Sequence, residues 1–256
     1  MKLVLIMNEK IMLIAIFLIF DLILCGCTGI TGSANGSSPG SGAQDFLTAN
    51  SYSSLVIEIQ AVTGYQPSST SQTNLVNFLS ARLNKPAGIT VQIDPDITSP
   101  GQTSYSLADV DSIESKNRKL QSSGNKAVAY FLFLDGPSTS DSGNGQILGQ
   151  AHGPSSIVIY EKSIKGLSGS IGQPSTAVLE STVLEHEFGH LLGLTNIGSN
   201  MQTPHQDTAH GAHCNETTCL MYWNVDTSNI VGNLLGGTIP ALDANCLADL
   251  KAAGGK

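Results

Sequence analysis

The segment from Pro174 to Gly193 constrains the chain more than any other. Val178, Leu179, Val183, Leu184, Phe188, Leu191 and Leu192 recur at helical spacing, with Pro174 at the entry and Gly193 at the exit. Set into this apolar helix are His186, Glu187 and His190. Residues four apart on a helix lie about 40° from one another around its axis, so both imidazoles project from one face. From there they can hold a single Zn²⁺ at about 2.0–2.1 Å. Glu187 follows the first histidine and leans over the same place, where it can take a proton from a water made acidic by the metal. Two histidines that merely pack or cap a buried helix are the alternative.

The rest of the chain reads as an α+β domain. Tyr52 to Gln60 alternates around Val56-Ile57-Glu58-Ile59 as a strand does. Thr73 to Leu83 has helical spacing and is stopped by Pro86. Gly88 to Ile93 is a second strand, and Ser106 with Asp109 opens a helix running to about Leu120. Lys126 to Leu134 is apolar throughout, as befits a central strand covered on both faces. Asp135 to Gly149 is a Gly/Ser/Asp-rich loop, Ser156 to Tyr160 a short strand, and Pro240 to Ala253 a last amphipathic helix. Little regular structure is legible from Thr195 to Leu235.

The first 26 residues do not belong to this domain. Lys2 and Lys10 precede an apolar run, Ile11 to Leu24, interrupted by Asp21. Its length suits a secretory signal better than a spanning helix, which needs about 20 apolar residues. It ends in Leu24-Cys25-Gly26-Cys27, which resembles the lipobox of bacterial and archaeal lipoproteins. The resemblance implies cleavage after Gly26, a lipid on Cys27, and a location outside the cytoplasm on a membrane. An uncleaved anchor helix is the alternative. Thr28 to Gln44 is almost wholly Gly, Ser, Thr, Ala, Asn and Pro, a tether with nothing to bury. From Asp45 onward about 210 residues remain, enough for one domain with a sizeable core.

The formal net charge is −8, and Arg82 and Arg118 are the only arginines. No basic cluster is present to meet phosphates, so nucleic acid is excluded as a partner. Three cysteines belong to the domain: Cys214, Cys219 and Cys246. Outside the cytoplasm a close pair tends to oxidise. That reading joins Cys214 to Cys219 and leaves Cys246 as a free thiol.

Gly193 lies three residues past His190, and the segment from His186 to Gly193 resembles the HExxHxxG start of the metzincins. In those zinc peptidases a third histidine follows and a methionine turn lies beneath the metal. The place of that histidine is held here by Asn196. Downstream, His213-Cys214-Asn215-Glu216-Thr217-Thr218-Cys219-Leu220-Met221 resembles the archaemetzincins, in which the third histidine is followed directly by Cys-x4-Cys-x-Met. On this resemblance the motif is split by an insertion of about 17 residues before His213. His205 is the main alternative as third ligand and His210 a lesser one.

The resemblance implies a metzincin-like fold: a twisted mixed sheet, an active-site helix and a smaller C-terminal part. It implies one catalytic zinc on His186, His190 and His213, Glu187 as general base, and Met221 packed under the metal. Archaemetzincins place a second zinc on four cysteines, which this chain cannot supply, so a single zinc and the Cys214–Cys219 bridge are expected. Asp207 and Glu216 are candidates to orient a ligand histidine. Tyr222 reads as a packed turn aromatic and His152 as a loop histidine near the substrate strand. The implied activity is endopeptidase hydrolysis by a monomer, with an extended peptide lying along Ser156–Tyr160. The rivals are a zinc-binding surface lipoprotein without activity, and a metal scavenger using His205 to His213.

Overall fold

A computed structural model describes residues 38–256, apart from Asn144 and Asp226. The expected leader, the expected lipid site Cys27 and the expected tether up to residue 37 lie outside the described residues. Among the described residues no helix is long and apolar enough to cross a membrane.

The elements run α1 (Ala43–Leu47), β1 (Ser54–Ala61), α2 (Ser69–Ser80), β2 (Ile89–Ile93), α3 (Leu107–Asn117), β3 (Lys126–Phe133), β4 (Gly149–His152), β5 (Ser156–Ile159), α4 (Glu161–Gly166), α5 (Thr176–Leu191), a 3₁₀ turn (Ser228–Leu234) and α6 (Ala244–Ala252). The five strands form one sheet in the order β2-β1-β3-β5-β4. Four strands are parallel, and β4 is antiparallel to β5 at the edge. This is the mixed sheet with accompanying helices that the sequence predicts.

Strand β3 shows why the central run is apolar throughout. Ala129, Phe131 and Phe133 enter the larger core with α2 and α5, while Tyr130 and Leu132 enter a second core with Val110 and Ile113 of α3. Both faces are covered, so both sets of alternate residues must be apolar. Helix α3 begins as read, with Ser106 and Asp109 exchanging both bonds of a capping box. Helix α2 starts earlier than its apolar spacing suggests, because Ser68 caps it by accepting from the Ser71 amide. Residues 38–44, read from the sequence as the end of a tether, lie against the domain. Phe46 in α1 meets Phe188 edge to face at 5.4 Å.

Helix α5 is the central element. Every residue from Leu179 to Leu191 is buried, the polar side chains included, so those side chains need partners inside the protein. Glu180 accepts from the Ser68 amide at 2.9 Å and from Ser71 Oγ at 2.7 Å. Glu161, the first residue of α4, is fully buried beside Glu180. Burial first, and the Glu180 charge second, push its carboxyl up to about 10, with Lys165 opposing. An acid with a raised folded pKa binds its proton more tightly when folded. Its stability cost is therefore absent below the ordinary value of 4.5 and grows as pH rises toward about 10. Glu161→Gln removes that cost. Its unfolding midpoint is expected to match the wild type near pH 4 and to exceed it at about pH 8–9 in thermal melts.

Candidate metal centre

Helix α5 places its last two turns so that His186 and His190 face one point. The His186 ring donates from Nδ1 to the Leu220 carbonyl at 2.7 Å, and the His190 ring donates from Nδ1 to the Leu194 carbonyl at 3.1 Å. Carbonyls only accept, so each Nδ1 carries the hydrogen and each Nε2 presents a lone pair. Those two Nε2 atoms are 3.1 Å apart. Burial, with the neighbouring imidazoles adding to it, depresses both pKa values: His190 falls to about 3 and His186 falls well below its usual range. Two lone pairs facing at that distance repel unless a cation sits between them. The donor chemistry fits a metal ion.

His213 completes the group. Its ring centroid lies 5.3 Å from that of His186 and 5.1 Å from that of His190. The ligand atoms of the three histidines all fall within 4.8 Å of one another. His213 is oriented in the same way, donating from Nδ1 to the His210 carbonyl at 2.6 Å. Glu187 is buried on the neighbouring face of α5, and its Oε2 accepts from the Ala151 amide at 2.7 Å. That bond ties the carboxylate to the edge strand β4.

Two close approaches hold the surroundings in place. A Cβ on Gly189, between the two histidines, would stand 2.3 Å from Met221 Sδ, so the Met221 side chain fills the notch that the glycine leaves. Gly193 ends the helix at φ +82°, and a Cβ there would meet the Ser199 backbone nitrogen at 2.3 Å. Gly193→Ala therefore combines a disfavoured φ with a backbone clash. Denaturant titration is expected to show a loss of about 1–3 kcal/mol. Met221, in turn, carries the chain from Leu220, whose carbonyl orients His186.

A second group of donors lies immediately behind the first. Cys214 Sγ is 3.3 Å from His205 Nδ1, Cys246 Sγ is 3.9 Å from the same nitrogen, and Cys219 Sγ is 3.7 Å from Cys246 Sγ. The ligand atoms of His205, Cys214, Cys246 and Asp243 fall within 4.8 Å of one another. His205 gives its other nitrogen, Nε2, to Asp249 Oδ2 at 2.8 Å, which leaves Nδ1 to face the sulfurs. Burial lowers the His205 pKa, but the Asp249 and Cys214 contacts outweigh it and the net shift is upward. Backbone amides of Met221 and Asp243 point at Cys219 Sγ, each at 3.4 Å. Hydrogen bonds from the other two thiols drive Cys214 far down toward the thiolate.

No family model matches the sequence, and no curated protein does. Among solved structures, archaemetzincin from Methanopyrus kandleri aligns with a TM-score of 0.50 and 16% identity, over 78% of this chain and 96% of that one. Metalloproteinase-II from Bacteroides fragilis aligns with a TM-score of 0.46 and 16% identity, over 81% of this chain and 55% of that one. The fold is that of an archaemetzincin.

Within this archaemetzincin-like fold the expected residues sort clearly. His213, not His205 or His210, joins His186 and His190. His205 is drawn to the cysteines, and His210 stacks on Trp223 at 4.4 Å while donating to Asp207 at 2.6 Å. Asn196 has φ 68° and donates to Gln206. The Cys214–Cys219 disulfide is not formed; both sulfurs, with Cys246, are thiols. The physical reason is that His205 and Cys246 converge on the same point, so the sulfurs turn toward a shared centre. Neither Asp207 nor Glu216 orients a ligand histidine. Asp207 binds His210, and Glu216 accepts from Thr218. Asp249 takes that role for His205, on a helix 44 residues along the chain. Ser156–Ile159 cannot receive a peptide as an added strand, because β3 and β4 occupy both of its sides. The sheet edge is β4, which the sequence conceals because Gly-Gln-Ala-His has no β-branched residue. Tyr222 packs against the core as read.

Proposed function

We propose that this protein is a zinc-dependent endopeptidase. One observation carries the reading: three imidazoles, each with Nδ1 fixed on a backbone carbonyl, turn their remaining nitrogens to one point, with the Glu187 carboxylate beside them. His186, His190 and His213 would hold the ion. Zinc held there supplies a Lewis acid that polarises a peptide carbonyl and makes water acidic near neutral pH. Glu187 accepts the proton of the attacking water and passes it to the leaving amine. The Ala151 amide fixes the carboxylate for both transfers and links it to β4. That strand would pair with an extended substrate. A purely structural metal site has no use for Glu187.

The second donor group reads as a structural zinc centre, with Cys214, Cys219 and Cys246 as thiolates and His205 in the place of a fourth cysteine. Its composition is that of closed, four-ligand zinc sites, and Asp249 behind His205 is the kind of outer carboxylate that fixes a ligand imidazole. Two ions per chain follow, in place of the one expected from the cysteine count alone. The lipobox-like Leu24-Cys25-Gly26-Cys27 and the Gly/Ser-rich stretch after it support a protein held outside the cytoplasm by a lipid on Cys27.

The test is metal analysis of the full-length protein together with cleavage of internally quenched peptides. Two tightly held zinc ions and internal cleavage would sustain the reading. Zinc-loaded protein that cleaves no peptide would favour the non-catalytic binding lipoprotein, and several loosely held ions would favour the scavenger.

A further inference from the structure

A cavity of about 510 Å³ opens between α3 and the turn joining β4 to β5, within the range of about 300–1,000 Å³ that ligand pockets occupy. Asp111, Glu114, Arg118, His152, Ser155 and Ser156 line it. His152 is the residue after Ala151, whose amide holds Glu187. The wall of this cavity and the catalytic carboxylate are therefore joined through one dipeptide of the edge strand.

We infer that this cavity is a specificity pocket that takes a lysine or arginine side chain of the substrate. The inference rests on the endopeptidase reading above. A peptide added along β4 turns alternate side chains to opposite faces of the sheet, and those on the α3 face meet this cavity. Its charges are arranged for a cation. Arg118 is already spent: it binds Glu114 Oε1 at 2.8 Å, Ser156 Oγ and Ser155 Oγ each at 3.0 Å, and the Leu120 carbonyl at 3.0 Å. One guanidinium thus serves one carboxylate oxygen and has no donor set left for an anionic ligand.

Asp111 and Glu114 together carry one negative charge more than Arg118 balances. Asp111 is 69% exposed, and Glu114 turns Oε2 toward His152 at 3.6 Å. His152 lies between them with only 10% of its side chain exposed. Its Nε2 finds no hydrogen-bond partner among the described residues. Burial lowers its pKa against the pull of both acids, so the imidazole does not supply the missing positive charge. A buried polar atom without a partner in a carboxylate-rich cavity marks a place completed by a ligand.

The experiment uses zinc-loaded full-length protein and quenched peptides of neutral composition. Lysine, glutamine or glutamate is placed in turn at the three positions on each side of the cleaved bond. At one position kcat/KM is expected to be about tenfold higher for lysine than for glutamine, and lowest for glutamate. Asp111→Lys, an exposed substitution, is expected to reverse the order at that position. Equal kcat/KM for lysine and glutamine everywhere would overturn the pocket while leaving the peptidase standing. An order unmoved by Asp111→Lys would also overturn it. Should no peptide be cleaved, the peptidase reading fails separately. Fluorescence binding of the same peptides to Glu187→Ala protein then decides: tighter binding of the lysine peptide sustains the pocket, and equal binding removes it.

Discussion

Glu187→Ala is expected to lower kcat for peptide cleavage by about 10²–10⁴-fold, the range for removal of a general acid–base group, while both zinc ions stay bound. The separation of the two effects follows from placement. The three histidines are oriented by the carbonyls of Leu220, Leu194 and His210, not by Glu187. Removing the carboxylate therefore leaves the metal-binding rings where they are. What disappears is the proton acceptor and its bond to the Ala151 amide. Quenched-peptide assays with parallel metal analysis check this, and the result to look for is lost turnover at full zinc content. Loss of zinc in the variant would mean that the carboxylate holds the site together and would undo the assigned role.

The second large effect concerns the buried cysteine group. Cys246→Ser is expected to remove one zinc per chain and to lower the stability of the fold by several kcal/mol. Structural zinc on thiolates contributes binding free energies of about 10–16 kcal/mol, and the part not offset in the metal-free chain appears as lost stability. A strong chelator should lower the melting midpoint of the wild type and leave that of the variant nearly unmoved. The bridge read from sequence predicts the reverse pattern: a reductant would lower the midpoint, and a chelator would not. His205→Ala should act in the same direction as Cys246→Ser, more weakly, because three thiols remain and Asp249 keeps the Gln202 amide as a partner.

Most of the fold was legible because its signals are local. The capping box of Ser106 and Asp109, the apolar run of β3 and the stripe of α5 each lie within one element. The His186-Glu187-His190 cluster was legible for the same reason, since a helix dictates which residues share a face. What could not be read depends on pairing across the chain. Strand β4 has four residues of low strand propensity and exists because β5 offers it a partner. The contact of His205 with Asp249 spans 44 residues, and that of Cys219 with Cys246 spans 27. Counting cysteines suggested an incomplete set, whereas folding recruits an imidazole from the inserted loop. His152 looked like an unremarkable loop residue until the hairpin placed it against α3.

His213 and Cys214 are consecutive residues, yet one belongs to the histidine trio and the other to the cysteine group. Cys214 bridges to Gln206 on one side and Tyr222 on the other, so the dipeptide runs through a fixed frame. The two donor groups consequently share one short stretch of backbone as a partition wall. Starving the rear compartment of its ion would let that wall slacken and carry the front histidine out of position. On the proposed reading, catalysis in this chain would depend on a metal that never meets the substrate.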